Sequence, residues 1–224
     1  MKAIVNVEVL PMFSACGWEN TVEDEVLYGM VVEILDQPEE GWYKIRTHYR
    51  YEGIVDGKYL ILDPEAVAAW EAAPKLVVRN KNHCDVLSRP KVQGWHLEQL
   101  CRGCLVTPVG DAADGYQLVR LVDGREGYVM AGILDTYYEA PSSDEEQTLR
   151  QQLVDAAMLY VGTHYRWGGK SPMGIDCSGL CSMAYMLCGI LIFRDADIRE
   201  GFPIRQIPLE QMKPGDLIFF PGHV

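Results

Sequence analysis

The chain has 224 residues, 48% hydrophobic and 23% charged, so it is long enough for one large domain or several small ones and apolar enough for real cores. Its formal net charge of −12 repels phosphate backbones, which argues against nucleic-acid binding. The longest apolar runs, about six residues, fall far short of the roughly 20 of a membrane helix, so no membrane insertion is expected.

The N-terminal stretch MKAIVNVEVLPMFSA alternates apolar and polar residues and reads as strand rather than as a signal peptide. The first two thirds then contain an internal repeat. YGMVVEIL (28–35), GWYKIR (41–46) and YEGIV (51–55) are echoed by RGCLVTPV (102–109), GYQLVR (115–120) and REGYV (125–129), with an offset of 74 at every step. Gly29 falls on Gly103, Gly41 on Gly115, Arg46 on Arg120 and Glu52 on Glu126. A constant offset through three separated segments marks two copies of one module. Each copy reads as short strands broken by Gly, Asp and Pro, which in a unit of about 60 residues close into a small barrel. The order of elements resembles bacterial SH3-like domains over residues 1–64 and 75–137. PEAVAAWEAAP between them reads as a short helix or linker, assigned to 65–74.

Cys101-x-x-Cys104, with Cys84, His83 and His96 upstream, raises the question of zinc. The repeat places Leu27 and Met30 where the second copy has these two thiols, so strand packing is the reading, and no metal or cofactor is expected. Seven cysteines, an odd number without the spacing of a secreted framework, fit a reducing compartment.

After residue 140 the character changes. Pro141, Ser142 and Ser143 form a boundary, and Asp144 is a candidate N-cap. Leu149, Leu153, Ala157 and Tyr160 or Val161 follow at helical spacing, predicting an amphipathic helix to about Val161. A loop, GTHYRWGGKSPMG, leads into DCSGLCSMAYML, where a helix is expected from Ser178 to Leu187 with Cys177 at or just before its start. That position matters, because the unpaired N–H groups of a helix start favour an anion and the thiolate is the nucleophile. Cys181 and Cys188, further along, read as buried small hydrophobes. Near the end of the chain, Pro214, Gly215 and Asp216 mark a turn, LIFF (217–220) reads as a buried strand, and His223 follows.

YRWGGKSPMGIDCSGL followed by MKPGDLIFFPGHV resembles the NlpC-type cell-wall peptidases, cysteine hydrolases of peptidoglycan stem peptides, over about residues 150–224. The resemblance implies a papain-like α+β domain (142–224), with Cys177 as nucleophile, His223 as base and Tyr165 assisting at the oxyanion; the Cys177 N–H is a further donor candidate. Two SH3-like modules ahead of it resemble the branch of γ-D-glutamyl-L-diamino acid endopeptidases, which act on murein tri- or tetrapeptides with a free N-terminal L-alanine. In that branch residues matching Asp176 and Ser178 hold the substrate's amino end. Tyr49, Tyr51 and Glu52 of the first module are candidates for the same amine, and Arg194 and Asp195 for the pocket rim. Members of the family continue past the histidine with further strands and the polar residue that orients the imidazole. This chain stops at Val224, so a catalytic domain truncated at its C-terminus is the expectation. The function expected is a cytoplasmic cysteine endopeptidase of cell-wall recycling. The alternatives are an exported wall-remodelling hydrolase, if a leader has been removed, and a non-catalytic murein-peptide binding module.

Overall fold

The structure, a computed structural model, describes residues 1–220. It divides into two compact units, Met1–Tyr137 and Tyr138–Val224. No helix among the described residues is long and apolar enough to cross a membrane.

The first unit holds strands β1 (Lys2–Val5), β2 (Val9–Phe13), β3 (Val22–Leu27), β4 (Val31–Glu39), β5 (Trp42–Thr47), β6 (Glu52–Asp56) and β7 (Leu60–Ile61). Helix α1 (Pro64–Ala72) follows, then β8 (Leu76–Val78), β9 (His83–Leu87), β10 (His96–Cys101), β11 (Leu105–Pro108), β12 (Tyr116–Arg120), β13 (Glu126–Met130) and β14 (Leu134–Thr136). The first seven strands form a sheet in the order β3-β2-β6-β5-β4-β1-β7, and the next seven one in the order β10-β9-β13-β12-β11-β8-β14. These are the same order, strand for strand. β2 and β9, β3 and β10, and β6 and β13 begin and end at the same offset of 74 that the sequence shows. The repeat is therefore a repeat of topology. It has a local cause, since the paired glycines Gly29 and Gly103, and Gly41 and Gly115, all take positive φ at the turns, where a side chain is disfavoured.

The segment between the copies is a packed helix. Asp63 caps α1 by accepting from Glu65 N, and Pro64 supplies a pre-set φ at its first turn. Val67 and Trp70 are buried, and the Trp70 indole N–H donates to Gly29 O at 2.8 Å. The 28–30 turn of copy one meets copy two main chain to main chain. Leu105 N donates to Tyr28 O at 2.9 Å, and a Cβ on Gly29 would stand 2.8 Å from Leu105 O. Val122 N donates to the Tyr28 hydroxyl, whose pKa burial pushes well above its ordinary value. In copy two, Cys84, Cys101 and Cys104 are buried, with Cys101 Sγ 3.7 Å from Cys104 Sγ. Leu27 and Met30 are buried at the matching places in copy one. Burial raises the Cys84 thiol to about 12, which suits core packing and makes that sulfur a poor nucleophile.

The second unit holds α2 (Glu146–Met158), the short pair β15 (Lys170–Ser171) and β16 (Gly174–Ile175), and α3 (Cys177–Met186). α2 differs at both ends from the sequence expectation. Its N-cap is Glu145 rather than Asp144, with Glu145 N donating to Ser143 Oγ. Beyond Met158 the chain tightens into i→i−3 bonds, Tyr160 N to Ala157 O and Val161 N to Met158 O. Leu153 and Ala156 are buried where α2 packs against α3. The 213–216 turn is clamped to both helices: Arg150 Nη1 donates to Pro214 O at 3.0 Å and Asp216 Oδ1 at 2.7 Å, and the Tyr185 hydroxyl donates to Gly215 O at 2.5 Å.

LIFF is not the buried strand its composition predicts. Residues 217–220 have no strand assignment, and Ile218 and Phe220 are 55% and 68% exposed. A strand needs a ladder, and among the described residues none pairs with this segment.

Candidate active site

Cys177 is the first residue of α3 and is exposed, one place after an N-cap that fixes the helix start. The Asp176 carboxylate does this capping and more. Its Oδ1 accepts from Gly179 N at 2.6 Å, from the Ser178 hydroxyl at 3.3 Å and from Arg194 Nη1 at 3.1 Å. Its Oδ2 accepts from Gly168 N at 2.9 Å and from Arg194 Nη2 at 3.1 Å. Five donors meet a group with about four lone-pair sites, so the carboxylate is fully engaged by its own protein. An Asp176 held ready for a substrate ammonium meets that obstacle.

Ser178 is similarly engaged, since Arg194 Nη1 donates to its Oγ at 2.8 Å. Arg194 is 1% exposed, so the sequence expectation that places it on a pocket rim is corrected: a residue this buried forms no rim. Its guanidinium lies behind the helix start, where Asp176 balances its charge.

The glycines of the WGG loop allow this arrangement. A Cβ on Gly179 would stand 2.2 Å from Gly169 O, and one on Gly169 2.4 Å from Gly174 O, so the loop's backbone lies directly against the first turn of α3. Gly169 O accepts from Asp176 N at 3.2 Å and from Arg194 Nη2 at 3.3 Å. The preceding residues run beside β16, with Arg166 N donating to Ile175 O and Ile175 N to His164 O. This pairing carries Tyr165, a residue 61% exposed, alongside Ile175, two residues before Cys177. Partial desolvation, then the neighbouring Cys177 and Asp176, raise the Tyr165 hydroxyl above its ordinary value. A hydroxyl kept protonated is a donor.

Cys177 opens onto a cavity of about 230 Å³ whose other walls include Cys181, Phe193, Asp195, Ile204 and Phe219. Two assignments change here. Asp195 lines the cavity while Arg194, its neighbour, points away into the protein. Cys181, expected to be wholly internal, is only part-buried and shares the cavity wall; burial first, then Cys177, raises its thiol. Helical spacing alone could have signalled this, because residues i and i+4 share a face. Cys188 is fully buried.

The first-module candidates lie in the other unit. Tyr49 is buried there, its hydroxyl donating to Asp24 Oδ2 at 2.5 Å. Tyr51 N donates to Thr47 Oγ1 in the turn after β5. Glu52 Oε1 accepts from Arg46 Nε at 3.0 Å and Nη2 at 2.8 Å, and Glu126 makes the same two bonds to Arg120 at the same distances. Glu52 thus repeats the arginine pairing of its equivalent in copy two, and its Oε2 also meets Lys44 Nζ at 3.1 Å. His223 lies outside the described residues.

The sequence model of the NlpC/P60 family matches residues 162–224. Dipeptidyl-peptidase 6 of Lysinibacillus sphaericus is 40% identical over the full length of this chain, which spans 83% of that protein. The gamma-D-glutamyl-L-lysine dipeptidyl-peptidase of Bacillus subtilis is 25% identical over 90% of this chain and 65% of its own length. Among solved structures, an NlpC/P60 family protein from Bacillus cereus superposes with a TM-score of 0.72 at 17% identity, covering 88% of this chain and 75% of the other.

Proposed function

Because this chain belongs to the NlpC/P60 family, we propose that it is a cysteine peptidase cleaving the γ-D-glutamyl–diamino acid bond of peptidoglycan stem peptides with a free N-terminal L-alanine. The observation that carries the reading is Cys177, exposed at the capped start of α3 and opening onto a cavity. A thiolate there attacks the scissile carbonyl. His223, within the region the family model matches, takes the thiol proton and returns it to the leaving amine, and a water then hydrolyses the Cys177 thioester to free the L-Ala-D-Glu acid and the thiol. Tyr165 and the Cys177 N–H donate to the oxyanion. Asp195, which lines the cavity beside Cys177, is the carboxylate we assign to the substrate's ammonium. The name of the Bacillus subtilis relative, a gamma-D-glutamyl-L-lysine dipeptidyl-peptidase, supports the bond class. We take the two seven-stranded sheets as SH3-like barrels (1–64 and 75–137) and residues 142–224 as the papain-like catalytic domain. The role that fits is recycling of released wall peptides.

Incubation with L-Ala-γ-D-Glu-diaminopimelate tests this. Release of L-Ala-D-Glu by the wild type, lost in Cys177→Ala and strongly slowed when the alanine is N-acetylated, is expected. No cleavage by the wild type, or equal cleavage by Cys177→Ala, sinks the reading.

A further inference from the structure

Arg194 is a large charged side chain only 1% exposed beside the site, and it belongs to no helix or strand. Its guanidinium contacts both oxygens of Asp176, the Ser178 hydroxyl and Gly169 O, at 3.1, 3.1, 2.8 and 3.3 Å. Those acceptors are the residue before Cys177, the residue after it, and the glycine loop that follows Tyr165. A rigid planar fork therefore ties both chain neighbours of the thiol to the loop beside it. The segment that supplies the fork is itself anchored: the Phe193 ring packs edge-on against Phe202 at 5.6 Å, and the Arg199 guanidinium sits 4.1 Å over its face.

We propose that Arg194 is a positioning residue that acts through Asp176 and Ser178 to hold the Cys177 thiol in its reactive placement. This rests on the reading of Cys177 as the nucleophile. At 1% exposure the arginine reaches no substrate without abandoning the Asp176 pair. Without Arg194, the Asp176 carboxylate keeps the Gly179 N–H and the Ser178 hydroxyl on Oδ1 and the Gly168 N–H on Oδ2, but loses the charged partner that spans both oxygens. The bidentate pairing spans both oxygens at once, and the same guanidinium also reaches Ser178 Oγ and Gly169 O. Lysine carries the charge without the fork, so it replaces arginine here only in part.

The test uses the full chain with Arg194→Met and Arg194→Lys, each checked for native circular dichroism. kcat and KM are measured on the stem peptide, and the rate of Cys177 alkylation by iodoacetamide is followed by mass spectrometry of its peptide. Expected for Arg194→Met is a fall in kcat of about a hundredfold with KM nearly unchanged, the size of effect that a misplacement of about 1 Å produces. A changed alkylation rate accompanies it, and Arg194→Lys is intermediate. A folded Arg194→Met with unchanged kcat and alkylation rate overturns the proposal. So does a raised KM at unchanged kcat, which makes the arginine a substrate contact. If the methionine variant does not fold, Arg194→Lys decides by the same two criteria. The two readings fail separately. An inactive wild type whose alkylation rate still depends on Arg194 removes the peptidase and leaves the positioning role. An active wild type silenced by Cys177→Ala but indifferent to Arg194 does the reverse.

Discussion

Arg46–Glu52 and Arg120–Glu126 are one ion pair built twice on the surface of the first unit, while Arg194–Asp176 joins the same chemical groups in the second. In the first pair the side chains are 41% and 36% exposed, in its copy 53% and 40%, and in the third 1% and 9%. The exposed pairs have similar short contacts, yet water screens them and would solvate either partner left alone. Neither Arg194 nor Asp176 has that recourse. Bond lengths thus say little about what a pair does; its surroundings decide whether it is decoration or framework.

The comparison is most severely tested by Asp176→Ala. Removing one member of a buried pair leaves the other charged and unsolvated, so a loss of about 3–5 kcal/mol is expected in urea unfolding. A loss no larger than that of Glu126→Ala would show that burial does not separate the two regions.

Glycines sharpen the same contrast. Gly179→Ala puts a Cβ 2.2 Å from Gly169 O, a backbone atom that cannot swing aside, and about 1–3 kcal/mol of destabilisation is expected from such overpacking. Gly115→Ala meets nothing within 4 Å and suffers only from its φ of +81°, which for an L side chain costs about 1 kcal/mol. Thermal melts of the two variants give the order; Gly115→Ala as the more damaging would contradict it.

Arg150–Asp216 lies between the extremes, at 26% and 19% exposure. Hydrogen bonding from Arg150, helped by the backbone N–H of Lys213, holds the Asp216 carboxyl below its ordinary value. A carboxylate depressed on folding contributes stability that is fully present above its unfolded pKa, near 4, and lost as pH falls through the folded value. The stability gap between wild type and Asp216→Asn should therefore be constant at neutral pH and shrink as the pH drops from about 4 downward. A gap that widens in acid has the wrong sign. The smallest effect is expected for Glu52→Gln and Glu126→Gln, whose melting midpoints should match wild type in physiological salt. A distinct loss of peptidase activity in Glu52→Gln alone would part the two copies and return Glu52 to the substrate.

Much of the fold was legible because it repeats. Two copies at one offset announce a shared strand order, and each copy's pattern checks the other's: Leu27 and Met30 disclosed that Cys101 and Cys104 are core thiols. The start of α3 was legible as well, since Asp176 and Ser178 are capping types ahead of a helical run. LIFF misled because four apolar residues specify only a wish for burial, whereas a strand also requires a partner. Arg194 misled because an arginine among aspartates reads as surface, and only the fold reveals which of those aspartates it meets.

The sequence by itself determined the duplicated module, the helix that presents Cys177 and the membership of the peptidase family, because glycine turns, capping residues and motif spacing act within a few residues of themselves. The tertiary structure alone decided that Asp176 is engaged, that Arg194 is internal and that Cys181 and Asp195 share a cavity with the thiol. Those facts depend on close approach between segments distant in the chain, where a missing Cβ at Gly169 or Gly179 sets the distance. Local pattern cannot express a distance of that kind.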